Sequence, residues 1–132
     1  MSRRPKLICF DWDGTLIDSV SKISLAIVEA GVSMGYKRIH PQKIEGRISI
    51  PFEMLITGLY GDLDLELFIK TYNEIVLDLP PARLFPGALE LINRLKHAFL
   101  LAIVTNKSRQ LLVLELRQHK LQHSFHSLWV AD

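Results

Sequence analysis

The chain has 132 residues, of which 48% are apolar and 23% are charged, and its formal net charge is +2. This composition is typical of a globular domain, excludes a disordered or low-complexity chain, and gives no reason to expect a nucleic-acid or membrane partner. Because it has one cysteine, no secretory leader and no apolar run long enough to cross a bilayer, the chain is expected to be cytoplasmic.

The first predicted element is a strand at residues 6–10, which is continuously apolar and is therefore expected to be buried and parallel to its neighbours. Cys9 lies in this strand and is predicted to be a small core residue. A helix is predicted over residues 19–34, because its apolar side chains recur at spacings of three and four, and Gly35 is a plausible stop.

The middle of the chain is predicted to be helical, with no strand. Pro41 and Pro51 each favour the start of a short helix. Asp62 and Asp64 are candidate N-caps for a longer helix, whose apolar stripe runs over residues 65–79 before two prolines end it.

The last third of the chain alternates between helix and strand. Helices are predicted at residues 87–96 and 108–119, and strands at residues 99–104 and 128–130. This order predicts the α/β class, with a parallel sheet and right-handed crossovers.

Two domains are predicted from these elements. An α/β core consists of residues 1–18 and 80–132, and a helical unit of residues 19–79 is inserted into it. The functional site of such a sheet lies beyond the carboxyl ends of its strands, where Asp11, Asp13 and Thr105 are expected.

Residues 10–19 carry the strongest chemical signal. Asp11 and Asp13 end the first strand two positions apart, so their carboxylates can lie on one side and repel each other unless a cation such as Mg²⁺ neutralises them. One carboxylate can attack phosphorus, and the other can transfer the proton of the leaving group. The alternative interpretation is a pair of capping aspartates at a strand-to-helix turn.

This segment resembles motif I of the haloacid dehalogenase superfamily, in the form seen in phosphoglycolate-phosphatase-like members. The resemblance implies that Asp11 is the nucleophile and Asp13 the general acid and base. It also implies that both residues belong to the Mg²⁺ site, Asp13 through its main-chain carbonyl.

Thr105 and Asn106 follow the 99–104 strand and open a helix, where a hydroxyl and free N–H groups can bind an anion. They resemble motif II of the same superfamily, which implies that they bind the phosphoryl group; a simple helix cap is the alternative. Lys107 is common after that motif and is not the lysine of motif III. The apolar run 111–116 is interpreted as core packing.

The helical insertion resembles a C1 cap, which closes over the site and selects the substrate. Residues 45–53 resemble the cap segment of the family, and Arg47 is a candidate contact to a substrate anion. A solvated surface arginine is the alternative interpretation. Residues 85–87 resemble the segment where the cap rejoins the core.

The lysine of motif III and the acidic residues of motif IV have no counterpart in this chain, since Asp132 matches a position before that lysine. Mg²⁺ affinity is therefore expected to be poor, and the chain as given is expected to have little activity. Without the strand of motif IV, the strand that holds Leu7 and Phe10 is expected to have an exposed edge, which a homo-oligomer or a terminal segment of the same chain would cover.

The predicted function is Mg²⁺-dependent hydrolysis of a small phosphorylated metabolite through an aspartyl-phosphate, with phosphoglycolate-like or sugar-phosphate substrates as the default. A phosphomutase is the alternative within the superfamily, and the Asp11–Asp13 pair disfavours a dehalogenase. The alternative from another class is a catalytically incomplete fragment or a non-enzymatic binding module.

Overall fold

The computed structural model describes residues 6–132, so the first five residues of the predicted core lie outside the described residues. The chain separates into two compact units. One contains the described residues up to Asp18 together with Arg83–Asp132, and the other is Ser19–Ala82.

The first unit is built on a three-stranded parallel sheet, which confirms the predicted α/β class. Its strands are β1 (Lys6–Phe10), β4 (Phe99–Val104) and β5 (Ser127–Trp129), in the order β1-β4-β5. Phe10 pairs with Ile103, so β1 and β4 end at the same edge of the sheet. Helices α5 (Ala88–Leu95) and α6 (Arg109–Gln118) precede and follow β4.

A second, two-stranded sheet was not predicted. It consists of β2 (Ile17–Asp18) and β3 (Arg83–Leu84), which pair antiparallel where the chain leaves and re-enters the first unit. Two-residue strands are too short to show an alternating apolar pattern, so the pairing has no signal in the sequence.

The second unit is helical throughout its described elements, as predicted. It contains α1 (Val20–Ser33), α2 (Gln42–Glu45), α3 (Phe52–Tyr60) and α4 (Leu65–Asp78). Of the two candidate caps of α4, the structure selects Asp64, whose side chain accepts a hydrogen bond from the Leu67 N–H at 3.0 Å. The core of this unit includes the buried side chains of Ile27, Ile44, Ile56, Phe68 and Tyr72. No helix within residues 6–132 is long and apolar enough to cross a membrane.

Gly31 is the point where α1 approaches Tyr60 most closely. The Tyr60 hydroxyl donates a hydrogen bond to the Ile27 carbonyl oxygen at 3.1 Å, and a Cβ atom at Gly31 would lie 2.3 Å from the hydroxyl oxygen. A residue larger than glycine therefore requires the aromatic ring to move.

Gly31→Ala is expected to lower the free energy of unfolding by about 1–3 kcal/mol, although alanine has the higher helix propensity, because the ring of Tyr60 must shift. Chemical denaturation measures the change. Gly58→Ala is the matched control, since no atom lies within 4 Å of a Cβ there, and it should be neutral or stabilising by up to about 1 kcal/mol. Equal effects of the two variants would contradict the steric argument.

The prediction that the first strand is buried is wrong. Leu7 is 51% exposed, and Cys9, predicted to be a core residue, is also exposed. Within residues 6–132 only β4 pairs with β1, so the outer edge of β1 has no neighbouring strand to cover it. Continuous apolar character predicted burial on both faces, which an edge strand does not receive, whereas the expectation of an exposed edge is confirmed within residues 6–132.

Candidate active site

The loop after β1 is a tight turn anchored by Trp12. The Trp12 carbonyl oxygen accepts hydrogen bonds from three successive N–H groups, those of Thr15 at 3.1 Å, Leu16 at 3.0 Å and Ile17 at 3.2 Å. Gly14 has a φ of 77°, which a glycine adopts without strain. The indole of Trp12 is fully buried and meets the ring of Phe125 edge-on. This anchor holds Asp11 and Asp13 on either side of a fixed residue.

The loop after β4 leaves the sheet at the same edge. The Thr105 N–H donates to the Trp129 carbonyl oxygen at 2.9 Å, and the Thr105 hydroxyl accepts from the Lys107 N–H at 3.1 Å. Ser108 is the N-cap of α6. Asp132, which matches a position before the motif III lysine, accepts a hydrogen bond from the Arg109 N–H at 2.8 Å and so helps to hold the start of α6.

Lys107 connects the two loops. Its ammonium nitrogen lies 2.8 Å from Oδ1 of Asp13 and is also hydrogen-bonded to Oε1 of Glu115. The side chain of Lys107 is 7% exposed, that of Asp13 is 11% exposed and that of Glu115 is 10% exposed, so the cluster is shielded from solvent. The indole N–H of Trp12 lies 3.4 Å from Oε1 of Glu115.

The surroundings of Lys107 stabilise its charged form. Burial alone would lower the pKa of Lys107, but the negative charges of Asp13 and Glu115 and their hydrogen bonds outweigh it, so the pKa lies above the ordinary value of 10.5. Lys107 is therefore an ammonium ion at neutral pH.

The predicted site residues fall into two groups. Asp11, Asp13, Thr105 and Asn106 all lie in the two loops at the carboxyl edge of the parallel sheet. Asp11 is exposed, and its carboxylate accepts the N–H of Trp12 at 2.7 Å. Arg47 lies in the helical unit, between α2 and α3, and is exposed.

Sequence reasoning did not assign Lys107 or Glu115 to the site. The run 111–116 was interpreted as core packing, and Leu111, Leu112 and Leu116 are indeed buried. Glu115 shares this buried face of α6. The sequence does contain a signal for this cluster: Glu115 is a single acidic residue on the apolar face of α6. A buried charge needs a compensating partner, so this position indicates a buried cation nearby.

Within residues 6–132, no three or more His, Cys, Asp or Glu side chains are grouped so that they could hold a metal ion. Mg²⁺ prefers six oxygen ligands and accepts water for several of them, so the exposed Asp11 carboxylate and the Asp13 carbonyl fit as part of a set. Oδ1 of Asp13 fits less well, since the Lys107 ammonium already contacts it.

A family model and curated relatives both match this chain. The family model described as haloacid dehalogenase-like hydrolase matches residues 8–132. Proteins named phosphoglycolate phosphatase, from Aliivibrio fischeri and Vibrio cholerae, are 33% and 30% identical to the chain, and each alignment covers 96% of it. The chain spans 62% of the length of both relatives.

Solved structures show the same fold. A haloacid dehalogenase-like family hydrolase from Streptococcus pneumoniae has a TM-score of 0.83 at 22% identity, covering 97% of this chain and 62% of that one. A HAD hydrolase from Bacillus subtilis, described as bound to magnesium, has a TM-score of 0.65 at 21% identity, covering 97% of this chain and 66% of its own.

Proposed function

The chain belongs to the haloacid dehalogenase-like hydrolase family, and from this we propose that the protein is a phosphatase that hydrolyses a small phosphomonoester through an aspartyl-phosphate. The observation that carries the proposal is the placement of Asp11, Asp13 and Thr105 in adjoining loops at one edge of the sheet. That edge is where parallel α/β sheets bind their ligands.

Each of these residues has a proposed role in the reaction. An oxygen of the Asp11 carboxylate attacks phosphorus, the bond from phosphorus to the ester oxygen breaks, and Asp13 gives the leaving oxygen its proton. Asp13 then takes a proton from the water that attacks the aspartyl-phosphate, which releases phosphate and restores Asp11. Thr105 and Asn106 bind the phosphoryl oxygens. Asp11 and the Asp13 carbonyl would hold Mg²⁺, which would supply positive charge for the transferring group.

The substrate class is proposed from the relatives and from the helical unit. Two relatives are named phosphoglycolate phosphatase, which favours a small phosphorylated metabolite with its own negative charge. Arg47 in the helical unit stays a prediction as the residue that contacts this charge. A phosphomutase is the alternative within the family, and it would return the phosphoryl group to a second sugar-phosphate hydroxyl instead of to water.

Phosphate release from phosphoglycolate, several sugar phosphates and p-nitrophenyl phosphate tests the proposal, with Mg²⁺ and with excess chelator. The measurement uses the 132-residue chain and, in parallel, the same chain joined at Asp132 to the sequence that follows the matched segment in the A. fischeri relative. We expect Mg²⁺-dependent release in the longer protein and at least about a thousandfold less in the 132-residue chain, where fewer groups stabilise the transition state. Transfer to a sugar phosphate without net release would favour the mutase.

We also propose that a second copy of the chain covers the outer edge of β1. Leu7 and Cys9 are exposed on a strand that pairs only with β4 among residues 6–132, and such an edge is a template for pairing with another chain. Light scattering should show a dimer or larger oligomer, with slow hydrogen exchange at the β1 amides. A monodisperse monomer with fast exchange there would contradict this proposal.

A further inference from the structure

The cluster of Asp13, Lys107 and Glu115 is a solvent-shielded charged group that the proposed reaction explains only in part. The reaction uses Asp13, but it gives no role to Lys107 or Glu115, whose side chains are 7% and 10% exposed. Burying charges costs free energy that pairing only partly returns, so a buried ion pair is weak evidence of a purely stabilising role.

Lys107 is held by hydrogen bonds at both its main-chain N–H and its side-chain ammonium. Its N–H is bonded to the Thr105 hydroxyl at the start of the loop, and its ammonium is bonded to Glu115 on α6. Glu115 in turn lies 3.4 Å from the indole N–H of the fully buried Trp12. A long, flexible side chain is thereby held in one position by a helix and by the anchor of the first loop.

This position determines what Oδ1 of Asp13 can contact. The Lys107 ammonium lies 2.8 Å from that oxygen, and a divalent cation bound to the same oxygen would lie within a few ångströms of a positive charge. Asp11 differs from Asp13: its carboxylate is exposed and accepts a hydrogen bond from the Trp12 N–H at 2.7 Å.

We propose that Lys107, held by Glu115, is a positioning residue that occupies Oδ1 of Asp13 and keeps this carboxylate oxygen from binding the metal ion. The metal then meets Asp13 only through the main-chain carbonyl. This inference rests on the proposed function for the role of Asp13, while its geometric part concerns metal binding alone.

The test measures Mg²⁺ affinity of the 132-residue chain by calorimetry, with no substrate present. Lys107→Met should bind Mg²⁺ at least about fivefold more tightly than the unsubstituted chain, because a unit positive charge close to the metal is removed and the Asp13 carboxylate becomes accessible to it. Lys107→Arg restores a cation and should recover most of the original, weak affinity.

Two further variants keep the test decisive if Lys107→Met is poorly folded. Lys107→Met combined with Glu115→Leu removes one positive and one negative charge and leaves Asp13 in place, and its Mg²⁺ affinity should rise by a similar factor. Glu115→Gln keeps the ammonium beside Asp13, so its affinity should not rise. A folded protein without Lys107 that binds Mg²⁺ no more tightly, or not at all, would overturn the proposal.

Failure of this inference can be distinguished from failure of the proposed function. If the longer protein releases no phosphate but the removal of Lys107 still raises Mg²⁺ affinity, the proposed reaction is wrong and the assignment of Lys107 as the residue that keeps metal from the carboxylate stands. If phosphate is released and Mg²⁺ affinity is unchanged by Lys107→Met, the reaction stands and the assignment is wrong.

Discussion

Asp11→Asn is expected to reduce phosphomonoester turnover by at least about a thousandfold, to the limit of detection. The amide of asparagine is a poor nucleophile towards phosphorus, so no aspartyl-phosphate can form at this position. The rate of phosphate release from p-nitrophenyl phosphate measures the loss, in the longer protein described above. Labelling by beryllofluoride, an analogue of the bound phosphoryl group, should also disappear.

Asp13→Asn is the matched control, since it changes the neighbouring aspartate in the same way. This variant should still form the phosphoenzyme from p-nitrophenyl phosphate, because p-nitrophenolate leaves without needing a proton from Asp13. It should hydrolyse the phosphoenzyme slowly, because no base at position 13 activates water. The phosphoenzyme therefore accumulates in Asp13→Asn and is absent in Asp11→Asn. Full activity in Asp11→Asn would refute the nucleophile assignment.

Local patterns were enough to predict most elements of this chain. The strand 99–104 was predicted with the bounds that the structure gives to β4, and the 19–34 helix differs from α1 by one residue at each end. Both are long enough for their apolar period to be unambiguous. The two loops of the site follow directly from such strands, which is why the sequence could indicate where Asp11 and Thr105 lie.

The features that were missed depend on contacts between distant parts of the chain. The β2–β3 pair joins Ile17 to Leu84, and neither strand has a pattern of its own. The pairing of Lys107 with Glu115 depends on which face α6 turns towards the first loop, and that rotation is set by packing. The edge position of β1 is predicted by the resemblance to the family and not by the apolar residues of the strand itself, which predict burial.

Lys107→Met is expected to lower the free energy of unfolding by about 3–5 kcal/mol, which is the usual cost of breaking a buried ion pair. It leaves the carboxylates of Asp13 and Glu115 close together with no cation between them, although both side chains are almost fully shielded. Glu115→Leu should cost less, since Lys107 loses one of its two carboxylate partners but keeps Asp13, and the Trp12 N–H loses its acceptor. Denaturant unfolding of both variants measures the difference.

The double variant Lys107→Met with Glu115→Leu should lose less stability than the sum of the two single losses. In the double variant neither the Lys107 ammonium nor the Glu115 carboxylate remains buried without the other. Additive losses would show that the two side chains do not interact.

The pH dependence gives an independent check on the same pair. The pKa of Lys107 in the folded chain lies above 10.5, so its contribution to stability is fully present below that pH and is lost as the pH rises through the folded value. Burial also raises the pKa of Tyr60, which lowers stability at high pH in the unsubstituted chain and in Lys107→Met alike. The gap in stability between these two proteins should therefore be constant from pH 7 to about 10 and should narrow above it. A gap that stays constant at higher pH would mean that the ammonium of Lys107 does not stabilise the fold through Asp13 and Glu115.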